Sequence, residues 1–557
     1  MVNRFALAYR EQQQLFIYDK TYLCGTLFEV GGLATLLARF IEQFFWNPKV
    51  AMAITMVLLA LSAYMLWVVA RESRKDWKII PLCIIPALFL YSSLSDNGLH
   101  FDYFISILLV QAGLILFKDI RSRRLFWGML LTVILYFTAG PAAILFAVAA
   151  VIFSYDKVKA RVLLLPLVAV ICALAAYFIS AVPSFREAFT PAFHYALDAK
   201  MPAFHWTCWV SIPLIVLLCV AASKLNLKKL IVFVSGLILA VLTLIPAGKF
   251  SKTIGKDLPN LACIFEYYTN KEDWDGLIEA CKKAPWLPRT ANYLNMALAW
   301  KGELAEHLLD YDQRGTQALV MISEDRAVDV AQAHIMFTMG NVAASQDVSF
   351  NSLASVHGYC PAMVKLNAQV ELMRGSYGVA DKYISLLEKT LHYRKWAKEY
   401  RRFLYDDEAV EADPLLGNGR RNLTAENAFV MYTNPMAELF PILDANPNDK
   451  RALEYGLCYL LLAKDLNSVK HFITDYYSSP DSPALPRIAQ EAMVFYSEYS
   501  RNMEGIEPFD LDWCYEHGVE PETVKHFEEY QRAAMAGPES LKRFRGTYWY
   551  YLVHTEI

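Results

Sequence analysis

Residues Val50–Ala70 read VAMAITMVLLALSAYMLWVVA, 21 residues without a formal charge. At about 1.5 Å of rise per residue, one helix of this length covers a hydrocarbon core of about 30 Å. Outward from it, similar apolar blocks stand at Ile79–Ser93, Tyr103–Phe117, Leu125–Thr138, Pro141–Tyr155, Val162–Ala181, Trp206–Ala222 and Leu230–Ala247. A soluble core helix is apolar too, but a water-soluble domain does not place eight such blocks in series with so few polar faces. The pattern predicts an all-α chain with a polytopic transmembrane domain of about eight helices over residues 50–249.

Charge divides the chain in the same place. Residues 1–249 hold 22 Lys+Arg and 12 Asp+Glu, which leaves 31 and 44 of the totals for residues 250–557. A basic apolar half before an acidic polar half predicts a membrane domain followed by a water-facing one. The acidic half excludes a nucleic-acid partner, because neutralising phosphate requires basic patches. The ten cysteines form no Cys-x-x-Cys pair, so neither a zinc ribbon nor a thioredoxin-like motif is expected, and no cofactor or metal is assigned.

The short loops fix an orientation. Arg71–Lys78 and Lys118–Arg124 each carry four basic residues, and Asp156–Arg161 and Ser223–Lys229 carry three each. Leu94–Phe101 carries no Lys or Arg. The positive-inside rule puts the four basic loops in the cytoplasm and residues 250–557 outside an inner membrane. That assignment requires Leu125–Tyr155 to be a hairpin of two short helices, turned at Thr138-Ala139-Gly140-Pro141, not one long kinked helix. It also places the hydrophilic segment 1–49 outside without a signal peptide, so a further transmembrane helix ahead of it is expected.

Two outer segments stand out. In Gly31–Asn47, Leu33, Leu36, Leu37, Phe40, Ile41, Phe44 and Phe45 recur at helical spacing against Arg39, Glu42 and Gln43, the pattern of an amphipathic helix lying on the bilayer. Val182–His205 repeats Pro-Ala-Phe-His at Pro191–His194 and Pro202–His205, with Asp198 between. Two histidines and a carboxylate are possible metal ligands, but a proline-broken interfacial loop anchored by aromatics accounts for the same residues. With Asp96, His100 and Asp102 of the facing loop, these groups are placed to line one outer cavity.

Beyond Gly248 the pattern becomes paired polar helices: Asp273–Lys283 with Arg289–Trp300, Arg326–Met339 with Val342–Val356, Ala362–Arg374 with Val379–Tyr393, and Lys450–Ala463 with Ser468–Tyr477. Gly375, Tyr377 and Ala380, then Pro447 with Ala452, Tyr455 and Leu461, resemble tetratricopeptide repeats, though no period of about 34 residues holds. A helical-repeat soluble domain over 250–557 is expected, with an irregular helical bundle as the alternative. Asp406–Asn422 is read as an exposed acidic loop, and Tyr548–Tyr551 as a tail docked on the repeats or the membrane surface.

The segments Tyr9-Arg10-Glu11-Gln12, Gln14-Leu15-Phe16, Gly31-Gly32-Leu33, Gln43-Phe44-Phe45 and Thr547–Tyr551 resemble a bacterial multi-pass membrane family defined by a domain of unknown function. That resemblance covers nearly the whole chain and implies a transmembrane helix ahead of Glu11, but no activity. The membrane half is also similar in architecture to polytopic glycosyltransferases that use lipid-linked sugars. Their chemistry needs a carboxylate at the outer edge, as base or metal ligand, near a polyprenyl phosphate. The resemblance would make Glu11, Asp19, Asp96 and Asp102 the catalytic candidates, and Arg10, Arg39 and Arg186 the lipid-phosphate contacts; each carboxylate also reads simply as a solvated loop residue. The reading that asks for least chemistry is an envelope scaffold that binds a protein partner through its repeats, with the bilayer as its other partner. A transporter is the weakest, since charges deep within the spans are missing.

Overall fold

The run from Arg124 to Tyr155 governs the topology of the apolar half. Its first helix, Arg124–Ala139, stops where Gly140 adopts a φ of 64°, and a second helix, Ala143–Val158, follows. One straight helix would hold Arg124 and Ser154 about 45 Å apart. Instead Arg124 Nε donates to Ser154 Oγ at 2.9 Å, and Leu135 and Phe146 both lie within 3.5 Å of where a Cβ on Gly113 would sit. The run is an antiparallel hairpin. A side chain at Gly140 would meet both the left-handed backbone penalty and the ring of Phe193, 3.0 Å from its Cβ.

The computed structural model describes residues 4–71, 77–196, 200–224, 228–254, 258–320, 330–355, 360–423, 435–478, 482–500 and 509–555. Those residues are helical, apart from loops and one isolated bridge between Leu99 and Tyr195. Packing divides the chain into two units. The first comprises Met1–Tyr267 with Val356–Pro361 and Leu386–Lys395; the second comprises Tyr268–Ser355, Ala362–Ser385 and Trp396–Ile557.

The helices of the first unit are α1 (Arg4–Gln13), α2 (Lys20–Leu27), α3 (Gly32–Glu42), α4 (Pro48–Ala70), α5 (Ile80–Ser93), α6 (Asp102–Asp119), α7 (Arg124–Ala139), α8 (Ala143–Val158), α9 (Leu164–Phe178), α10 (Phe185–Phe189), α11 (Trp206–Lys224) and α12 (Lys229–Ile254). Among the described residues, five helical stretches are long and apolar enough by length and composition to cross a membrane: Pro48–Ala70, Arg124–Tyr155 (which folds back at Gly140 as the hairpin of α7 and α8), Lys159–Phe178, Ala203–Ala222 and Lys229–Ile254. The expected count of about eight is therefore corrected to five. The reasons are local. Helix α5 has 14 residues with Pro86 inside it, α6 is bounded by Asp102, Lys118 and Asp119, and the two blocks of the hairpin share one stretch. Small residues bring the helices together: Ala143, Ala147 and Ala150 of α8 and Ala169, Ala173 and Ala176 of α9 are buried, while Leu167, Ile171 and Phe178 on the other side of α9 are exposed.

In the second unit Trp274–Lys283 packs on Pro288–Lys301, Val330–Thr338 on Val342–Ser355, and Lys450–Leu462 on Leu466–Tyr476. Several of these helices start on an aspartate whose side chain accepts first-turn N–H groups: Asp273, Asp449 and Asp465. The segment Asp406–Asn422 differs from expectation. It folds into two short helices, Asp407–Ala412 and Pro414–Arg421, because Asp406 and Asp413 act as caps. The aromatic tail is a helix, Tyr548–His554, with Tyr548 and Trp549 fully buried. It docks on Arg487–Tyr499, where Glu491 Oε2 accepts from Tyr548 N and the Glu491 carbonyl from Trp549 Nε1, both at 2.6 Å.

Candidate functional site

The loop after α5, which carries no Lys or Arg, and the first Pro-Ala-Phe-His lie side by side. His100 N donates to His194 O and Ala196 N to Gly98 O, each at 2.9 Å. Gly98 permits this: a Cβ there would come within 2.8 Å of the Tyr195 ring. The two histidines of the repeats meet two different aspartates. His194 Nδ1 lies 3.1 Å from Asp102 Oδ1, and His205 Nε2 lies 2.8 Å from Asp96 Oδ2. Asp96 also accepts from the Tyr195 hydroxyl at 3.1 Å and from Gly98 N at 2.9 Å, and Thr35 Oγ1 donates to Asp102 Oδ2 at 3.2 Å. Both imidazoles are fully buried, and among the described residues neither ring nitrogen of His194 nor Nδ1 of His205 makes a hydrogen bond.

Arg10 of α1 gathers the same loop from beneath. Its guanidinium donates to the carbonyls of Leu99, Leu94 and Asp96, the last two at 3.2 and 3.0 Å. Burial lowers the Arg10 pKa, and the charges of Glu42 and Asp96 counter that. At Asp96 burial is the largest single effect and opposes ionisation, but the bond and charge of His205 together with the bonds from Gly98 N and the Tyr195 hydroxyl outweigh it and hold the carboxyl below its usual value. Among the described residues Glu42 has no such bond. Its carboxyl is buried and pushed up to about 8, with Arg10 opposing the rise.

The predicted site residues thus separate. Arg10, Asp96 and Asp102 come together with the two histidines as a packed cluster. Glu11 is buried nearby, accepting from Tyr393 Oη at 3.2 Å and from Gln12. Asp19 instead caps α2 through Thr21 N and pairs with Lys389 at 2.7 Å. Arg39 is half-buried and donates to Tyr22 Oη at 3.3 Å, and Arg186 is exposed on α10. Among the described residues no group of three His, Cys, Asp or Glu side chains converges as a metal site, and Asp198 lies outside them.

Helix α3 also buries part of the side that carries its polar residues. Ala34, Ala38 and Glu42, spaced by four, turn inward, while Leu37, Phe40 and Phe44 stay exposed. That stripe of two alanines ending on a glutamate was the available signal for Glu42. The return of residues 386–395 had none: His392 Nε2 bonds the Gln43 carbonyl at 2.7 Å and its ring stacks on Trp46 at 5.5 Å.

Fold and site together define an all-helical chain with five potential spans and a buried aspartate–histidine–arginine cluster beside them. The chain belongs to DUF6057, a family of unknown function whose model matches residues 1–555. No curated protein and no solved structure matches it.

Proposed function

We propose that the protein is a multi-pass inner-membrane scaffold whose second unit, a helical-repeat domain on the outer face, binds an envelope protein partner. The observation that carries this is the occupation of the four candidate carboxylates by the protein itself. Asp96 and Asp102 each hold a histidine, Glu11 holds Tyr393, and Asp19 holds a helix start and Lys389. Charges arranged this way tie segments of chain together. The basic connectors support the orientation, and the capped helix pairs with the Gly375 turn, at a φ of 73°, support the repeat reading.

A glycosyltransferase-like enzyme acting on a polyprenyl-linked sugar is the second reading. Glu42 favours it, because a carboxyl that titrates at about 8 carries a proton at neutral pH, as a general acid must. The two readings part in cells where deleting the whole protein gives an envelope phenotype. Asp96→Asn, Asp102→Asn and Glu42→Gln are expected to retain function wherever the protein level is retained. Loss of function at wild-type protein level overturns the scaffold reading in favour of the enzyme.

A further inference from the structure

The far end of α12 carries an unassigned feature. Leu244, Ile245, Gly248, Lys249, Lys252 and Thr253 line an open groove of about 470 Å³. The rotation of the helix is fixed from behind. Phe250 stacks on Phe204 at 4.0 Å and meets His205 edge-on, Ser251 Oγ lies 2.9 Å from Ser95 Oγ, and Ala247 is buried. Residues 245, 248, 249 and 252 therefore face away from the protein. On that face Leu244 and Ile245 are 52% and 67% exposed, Gly248 leaves open space where a Cβ would stand, and both lysines are exposed.

The chemistry changes along the groove over a single turn. Its lower half is aliphatic and continues the 26-residue apolar helix; its upper half presents two ammonium groups three residues apart on one side. We propose that this groove binds an anionic phospholipid, with Lys249 and Lys252 on the phosphate and an acyl chain along Leu244 and Ile245 over Gly248. Lysine suits this role because its long stem lifts the charge from the apolar level to the headgroup level. The inference rests on α12 crossing the membrane and needs no particular orientation, since the groove is defined by the helix alone.

Each lysine beside an anionic headgroup contributes a factor of about 5.5 in partitioning, so the pair gives about thirtyfold. The full chain is purified in a non-ionic detergent and incubated with equimolar phosphatidylglycerol and phosphatidylcholine of matched acyl chains. The lipid retained is then weighed by native mass spectrometry. Wild type should retain phosphatidylglycerol by about thirtyfold. Lys249→Gln/Lys252→Gln should bring the ratio near one, and Gly248→Leu, which fills the groove but keeps both cations, should lose the bound lipid. Lys282→Gln/Lys283→Gln in the second unit should behave as wild type. Equal retention of the two lipids by wild type, unchanged selectivity in the double variant, or displacement of the lipid by millimolar inorganic phosphate would overturn the proposal. A chain that stays in solution without detergent would instead remove the membrane reading beneath it.

Discussion

His205 Nε2 and Asp96 Oδ2 stand 2.8 Å apart across 109 residues of chain, both sealed from water. The same carboxylate takes the Tyr195 hydroxyl and the Gly98 N–H, so one aspartate joins the loop after α5 to the second Pro-Ala-Phe-His and to the tyrosine that follows the first. Removing one partner of a buried pair leaves the other desolvated and unmatched, which costs about 3 to 5 kcal/mol. Asp96→Ala is expected to lose that much in thermal unfolding of the purified full chain. Asp96→Ala/His205→Ala should lose less than the sum of the two single changes. An additive double variant would deny the pair its structural role.

Glu42 gives the fold a pH dependence of definite sign. Its carboxyl moves from a usual 4.5 to about 8 on folding, so across that interval the folded protein binds more protons than the unfolded chain. The contribution is fully present below pH 4.5 and is lost as pH rises towards 8, at about 1.4 kcal/mol per pH unit. Melting temperature should therefore fall from pH 5 to pH 8, and Glu42→Gln should flatten that slope. A variant with the wild-type slope would show that Glu42 does not carry it.

The hairpin at Gly140 sets the direction of every later helix. With Arg124→Cys and Ser154→Cys in one chain, a short bis-maleimide is expected to join the two within a single molecule. The alternative of a continuous helix separates them by about 45 Å, beyond any such reagent.

The aromatic tail closes the second unit. Trp549 is fully buried and its indole N–H is bonded to the Glu491 carbonyl. Trp549→Ala should cost about 3 to 5 kcal/mol, read by thermal unfolding and by faster proteolysis of the second unit. Wild-type stability would remove the tail from the core.

Much of this architecture is written in local patterns. Apolar block length, the glycine at 140 and the aspartates before helices are nearest-neighbour signals, and the helix positions follow them closely. Asp96, Asp102, His194 and His205 were visible as a set of ionisable groups on facing loops. What the pattern does not carry is how they are spent. Whether an aspartate meets water, a substrate or a histidine depends on the register of 194 against 100, which lies in backbone pairing. Glu42 was misread because a stripe of two alanines is weaker in hydropathy than Phe40 and Phe44, although close helix packing selects the alanines. The contact of His392 with Trp46 joins residues 346 apart, and nothing near either one announces the other.

The central claim is that the second unit stands beyond the inner membrane, where it meets its partner. It is tested by Glu408→Cys, an exposed position on a helix of that unit, with Cys24→Ser to remove the exposed native thiol. A maleimide that cannot cross the inner membrane should label Glu408→Cys in cells with that membrane intact. Labelling that appears only after the membrane is broken would place the unit in the cytoplasm and contradict the account.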